Sequence, residues 1–189
     1  LVEKEKIIKR AKELGAENEL KYVGCVQSTF CAVVDALREA GIELVTPEVE
    51  EIFFTAGVGL SGGVGITCRG SCGALVGASL AVSLATGVGR KEQEKDPMSR
   101  QISYKNVREY IANKFLERYG GLTCREVQWA RFGKAWDLTR PECFEDFHKN
   151  ELEKCRTPDG KTIEECTIPV AAAWAVEAIL EILEKKKKG

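Results

Sequence analysis

Between Ile52 and Gly89 the chain carries a single charged residue, Arg69. A segment that long without charge must be covered by the rest of the fold, because unbroken apolar surface is not left to water. Its two halves differ. Gly57-Val58-Gly59-Leu60-Ser61-Gly62-Gly63-Val64-Gly65 is glycine-dense and reads as a loop. Cys72 to Leu84 is small and apolar and reads as a buried helix, with Ser71 as its N-cap. Gly73, Gly77 and Ala81 recur every four residues, so one face of that helix is bare enough for a second helix to approach closely. A membrane span needs about 20 strongly apolar residues. Ser79, Ser83, Thr86 and the glycines of this stretch argue for a buried helix instead, and no membrane span is expected.

The flanks supply amphipathic helices. Residues 1–21 form a charged N-terminal unit, with Val2, Ile7, Ile8, Ala11 and Leu14 at helical spacing and Gly15 as the expected stop. A second helix runs from Cys25 to about Ala40, with Val26, Phe30, Val33, Val34 and Leu37 on one side and Gly41 closing it. Thr46-Pro47 opens a short third helix as N-cap and N1. Ile52-Phe53-Phe54-Thr55 is the one stretch with a hint of strand alternation. Arg90–Arg100 reads as a polar, exposed connection. Helices follow from about Tyr104 to Arg118, from Thr123-Cys124, from the Thr139–Glu142 capping box, and from about Pro169 to Lys185. Residues 185–189 read as a solvated, lysine-rich tail. The expectation is one all-α domain spanning 1–189, a bundle of about six to eight helices with a glycine-rich loop.

The composition narrows function. Lys+Arg 28 against Asp+Glu 29 gives a net charge of -1, which lacks the basic footprint of a nucleic-acid binder. Gly57 to Gly62 matches GxGxxG, but no acidic residue lies between Glu51 and Glu92 to hold a ribose, so nucleotide binding is not expected. The single histidine, His148, leaves little for a histidine-based metal site and sits in no evident catalytic context. No CxxC pair or CxxCH occurs, which argues against a zinc ribbon and covalent haem. The charged start Leu1-Val2-Glu3-Lys4 lacks a signal-peptide core, so a cytoplasmic location is expected. Eight cysteines in a reducing compartment point to metal ligation or thiol redox chemistry.

Four of the eight stand at expected helix starts. They are Cys25 after Gly24, Cys72 after Ser71, Cys124 after Thr123, and Cys166 before Thr167 and Pro169. Unpaired N–H groups and the positive end of the helix dipole favour thiolate over thiol there. The same features would stabilise an anionic, thiolate-ligated cluster. The backbone N–H groups of Gly62, Gly63, Gly65 and Gly73 could add bonds to sulfur. Cys31 lies about 120° around the helix from Cys25 and reads as core. Cys68 is an accessory or resolving thiol near Cys72. Cys143 falls in a first helical turn. Cys155 and Cys166 bracket a loop that a disulfide could close, and Cys155 is the rival for the fourth position.

These residues resemble a known family. Cys25, the glycines through Gly65, Cys72-Gly73-Ala74-Leu75-Val76-Gly77, Cys124-Arg125-Glu126 and Cys166 are similar to the redox-active proteins named for their C-GCAxxG-C-C pattern. Asp137-Leu138-Thr139-Arg140-Pro141-Glu142 resembles the segment between that family's last two cysteines. The resemblance places the family's four cysteines on Cys25, Cys72, Cys124 and Cys166. It also extends to the non-haem domain of split-Soret cytochromes c, where an iron–sulfur site has been suggested. It implies redox activity without naming a substrate.

The leading expectation is an electron carrier, rather than an enzyme with its own substrate, that holds an iron–sulfur cluster on Cys25, Cys72, Cys124 and Cys166. It implies a redox partner protein. The alternatives are a metal-free thiol–disulfide oxidoreductase using Cys68/Cys72 or Cys25/Cys72, and a structural zinc or small-ligand module. The Ile52–Gly89 segment is also a candidate pocket wall or homodimer contact.

Overall fold

The computed structural model describes residues 2–155 and 166–188, with side chains from 3–153 and 166–188. Helix α1 spans Val2–Tyr22, α2 Cys25–Glu39, α3 Pro47–Gly57, α4 Gly73–Thr86 and α5 Arg90–Lys95. Next come α6 Gln101–Val107, a π-helical turn Arg108–Ala112, and α7 Asn113–Tyr119. Helices α8 Cys124–Phe132, α9 Pro141–Cys155 and α10 Thr167–Lys188 complete the described part. The all-α expectation holds. The one β-type pairing among the described residues is an isolated bridge between Ser71 and Thr123.

Helices α1, α2, α4 and α10 pack on one another and form the core. Small residues set the spacing. A Cβ at Gly77 would fall 2.4 Å from the Val26 carbonyl oxygen and 3.1 Å from the Phe30 nitrogen, so α4 lies directly on the α2 backbone. This is the close approach that the Gly73/Gly77 spacing implies. Ala74, Ala78, Ala81, Ala171, Ala172 and Ala175 are fully buried and extend the tight seam through α4 and α10. The apolar side of α2 is buried as read, from Val26 and Phe30 to Leu37.

Several boundaries differ from the sequence reading, each for a local reason. Gly15 does not stop α1, which continues to Tyr22. That glycine instead lets α10 approach, since a Cβ there would meet Pro169 Cα at 2.9 Å. Ile52-Phe53-Phe54-Thr55 is helical within α3, because Pro47 and two glutamates in the first turn start a helix upstream. The helical turn lets Phe53 stack on Phe30 and Phe54 meet Tyr22 edge-on. The Arg90–Arg100 connection is itself folded into α5 and a 3-10 turn, Pro97–Arg100. Here Gly89 donates to Glu92 Oε2, and Asp96 Oδ1 accepts from the Met98 amide. Cys72, not Ser71, is the N-cap of α4. Helix α9 starts at Pro141, because the Thr139 hydroxyl donates to Asp137 Oδ1 and is taken up in that turn. The terminal lysines continue α10 to Lys188, with Lys185 donating to the Tyr110 hydroxyl and Lys186 to the Ala85 carbonyl.

Gly77→Ala should lower stability by about 1–3 kcal/mol, because the added methyl would meet the Val26 carbonyl oxygen, Thr29 Cβ and the Phe30 nitrogen, none of which can swing away. Gly59→Ala, with open space around it, should stay within about 0.5 kcal/mol of the native chain. Urea unfolding midpoints of the two variants check this.

Candidate functional site

The glycine-rich segment forms a left-handed turn. Gly62, Gly63, Val64, Gly65 and Ile66 all have positive φ, between 55° and 72°. L-residues resist this conformation by roughly 1–2 kcal/mol each, so glycine at three of the five positions keeps the cost down. Cys68 (φ 59°) and Val23 (φ 53°), just before α2, are also left-handed. Of these strained non-glycine residues, Val23 and Ile66 line one cavity.

That turn also finishes the start of α2, whose N-cap, Gly24, offers no side chain. Ser61 Oγ accepts from the Val26 amide at 3.3 Å and donates to Gln27 Oε1 at 3.0 Å. The Gly62 N–H donates to Cys25 Sγ at 3.4 Å. On its other side Cys25 lies against α4, where a Cβ at Gly73 would sit 2.1 Å from Cys25 Sγ. Gly73 must therefore be glycine for that sulfur to fit.

The same turn holds the start of α8. Cys68 donates its amide to the Gly62 carbonyl at 2.8 Å, and Arg125 and Cys124 donate theirs to Cys68 and Gly70 carbonyls at 3.0 Å. A Cβ at Gly63 would lie 2.9 Å from both Cys124 Cβ and Cys68 Cα. The Thr123–Glu126 capping box forms as the sequence indicates, with Thr123 Oγ1 accepting from the Glu126 amide at 3.2 Å.

Together these contacts enclose a largely apolar cavity of about 90 Å³. Cys25, Cys72 and Cys124 all line it, so three of the four sequence-selected cysteines meet at one place. Thr167 and Ile168 at the start of α10 line it too. Cys166 beside them is fully buried and disulfide-bonded. The side chain of Cys155 lies outside the described residues. Cys31 is in the main core, as expected. Cys143 packs against a satellite cluster of Cys68, Cys124, Trp136 and Leu138.

Of the four glycines singled out, Gly62 gives its N–H to a thiol, whereas Gly65 donates to the Gly59 carbonyl at 2.8 Å. Gly63 and Gly73 serve by leaving room. Among the described residues, no group of three or more His, Cys, Asp or Glu side chains is arranged to hold a metal ion.

Cys68 is the thiol the sequence underrated. It is buried, and its Sγ lies 4.0 Å from Cys124 Sγ. Gln128, one turn into α8, donates through Nε2 to Cys68 Sγ at 3.4 Å and to Cys124 Sγ at 3.3 Å. Its own Oε1 accepts from the Trp136 amide at 2.8 Å, which fixes the amide orientation.

The electrostatics also depart from the helix-start argument. Burial pushes the Cys25 thiol up, against the pull of the Gly62 N–H. Burial pushes Cys72 up to about 12, although the amides of Leu75 and Ala74 favour its thiolate. Cys124 is raised because it gives its hydrogen to Cys68 and is buried. Of these four thiols, Cys68 is the one lowered, to about 6, by hydrogen bonding from Cys124 and then Gln128. Desolvation thus outweighs the helix dipole at Cys25 and Cys72, the hydrogen bond to Cys68 leads at Cys124, and a loop cysteine is the thiolate-favouring one.

Two further residues were not selected from the sequence. His148 lines the cavity, stacked on Phe144, because α9 folds over the mouth of the site. Glu19 of α1 lines it as well, 7% exposed, with no hydrogen-bond partner for Oε2 among the described residues. Burial, then the nearby Glu151, pushes the Glu19 carboxyl up to about 8. Glu151 is itself paired with Arg131 at 2.5 Å, and Arg131 also donates to Thr167 Oγ1. This buried pair ties α8, α9 and α10 together at the cavity wall.

The family model described as "Putative redox-active protein (C_GCAxxG_C_C)" matches residues 23–173. The chain belongs to this family. The match covers the cavity lining except Glu19, and it includes the start of α10. No curated protein and no solved structure matches the chain. No helix among the described residues is long and apolar enough to cross a membrane.

Two titrations check these environments. Iodoacetamide labelling of Cys68 should rise through pH about 6, while Cys25 and Cys72 should label only above the ordinary thiol range. Peptide mass spectrometry across pH reads both. For Glu19, the folded state keeps a proton between the ordinary carboxylate value of 4.5 and about 8 that the unfolded chain has lost. Stability should fall as pH rises through that window, by at most about 1.4 kcal/mol per pH unit, and Glu19→Gln should flatten the decline.

Proposed function

We propose that this redox-active family member is an electron carrier whose centre is an iron–sulfur cluster held in the cavity by Cys25, Cys72 and Cys124. Cys166 would be the fourth thiolate once its disulfide is reduced. The observation that carries this reading is that three thiols, at the starts of α2, α4 and α8, line one largely apolar cavity. A single ion needs its ligands drawn to one point, whereas a cluster spreads its thiolates over several irons. Sulfurs that line a cavity without converging on a point suit the second case.

A cluster would supply one-electron storage. The chain's own residues set the conditions for it. The apolar walls exclude water. The Gly62 N–H, and the amides of Ala74 and Leu75, offset negative charge on the ligands. Glu19 can hold a proton at its carboxyl beside the site near neutral pH, so its presence adds no buried charge there. Val23 and Ile66 line the cavity and are 42% and 37% exposed, so the centre lies close to the surface that a redox partner protein would meet.

Protein purified without oxygen should contain iron and acid-labile sulfide in similar amounts and absorb in the visible. Cys25→Ser, Cys72→Ser and Cys124→Ser should each lose most of this content. Native protein without iron or sulfide, or variants with unchanged content, would overturn the reading.

A further inference from the structure

We propose that Cys68 and Cys124 form a second redox element, a dithiol that closes to a disulfide by exchange with a small dialkyl disulfide. Cys68 is not among the four cysteines that the resemblance assigns to the family pattern. Its two sulfurs are 4.0 Å apart, and a bond requires them to close to about 2 Å. Gln128 Nε2 donates to both and holds them side by side.

The backbones that carry the pair are locked together. Arg125 donates to the Cys68 carbonyl, Cys124 to that of Gly70, and Ser71 bridges Thr123. Gly63 fits between Cys68 Cα and Cys124 Cβ with no room to spare. Closing the bond therefore asks for side-chain rotation, with little loop movement.

The exchange balances with water as the only other reactant. Cys124 lines the cavity, so its sulfur meets an incoming disulfide R–S–S–R first. Cys124 donates its S–H to Cys68 Sγ, so it passes that proton to Cys68 as it attacks. A bond forms between Cys124 Sγ and one sulfur of the reactant, the reactant's S–S bond breaks, and the first R–S⁻ takes the proton from Cys68 and leaves as R–SH. The Cys68 thiolate then attacks Cys124 Sγ, the mixed disulfide breaks, and the second R–S⁻ leaves and is protonated by water. Two cysteine thiols are oxidised and one dialkyl disulfide is reduced to two thiols. The reaction does not rest on the cluster reading, although the Cys124 sulfur cannot serve both at once. Closure would withdraw Cys124 from ligation.

Trypsin separates the residues concerned, because Arg69 divides Cys68 from Cys72 and Arg118 and Arg125 bracket Cys124. The full chain is equilibrated with hydroxyethyl disulfide and mercaptoethanol at graded ratios, alkylated, digested and analysed by mass spectrometry. Iron is measured on each sample. The expected result is a Glu39–Arg69 peptide linked to Tyr119–Arg125, present in iron-free protein and lost on adding excess thiol. Cys68→Ser and Cys68→Ala should lose the link, while circular dichroism shows the helices retained. If Cys68 and Cys124 stay fully alkylated at the most oxidising ratio, or Cys124 links to another cysteine instead, the proposal fails. Neither result bears on whether anaerobic native protein contains a cluster.

Discussion

The contact on which the site depends is that of α4 lying on the backbone of α2. Gly77 allows it by meeting the Val26 carbonyl and the Phe30 amide without a side chain. One turn earlier, Gly73 gives the Cys25 sulfur its place against the start of α4. Dispersion at such close range is favourable only if no atom intrudes, so one methyl group at either position would separate the helices. Two helix starts, each with a cysteine, are thereby brought to the same wall of one cavity.

The left-handed turn supplies the third cysteine. Its residues reach α2 through Ser61 and Gly62, and α8 through Gly63 and the carbonyls of Cys68 and Gly70. A left-handed turn of this kind strains Val64 and Ile66, and that strain is held by the capping bonds at both ends. The glycine-rich stretch is thus a clamp between two helix N-termini, with its amides mostly committed to the backbone.

Much of this was legible in the sequence. Thr123 with Glu126 announced the start of α8, and the Gly73–Gly77 spacing announced a close helix contact, because both signals are local. Gly15 was misread, since a glycine that ends a helix and one that admits a distant proline look alike until the partner is known. Cys68 was underrated for a similar reason. Its role comes from Gln128 and Cys124, far along the chain, and from a left-handed backbone that no propensity signals at a cysteine. His148 and Glu19 reach the cavity only through the packing of α9 and α1. Cys25, Cys72 and Cys124 do stand at helix starts, but their thiols are raised there by burial and by the Cys68 contact, neither of which is visible in the sequence.

The central claim is that Cys25, Cys72 and Cys124 hold one iron–sulfur centre in the cavity they line. Iron X-ray absorption on anaerobically purified protein tests it most directly. The account predicts an iron shell made of sulfur, with a short iron–iron distance, and loss of thiolate sulfur from that shell in Cys72→Ser. Iron surrounded by oxygen and nitrogen, or a sulfur shell unchanged by that substitution, would contradict it.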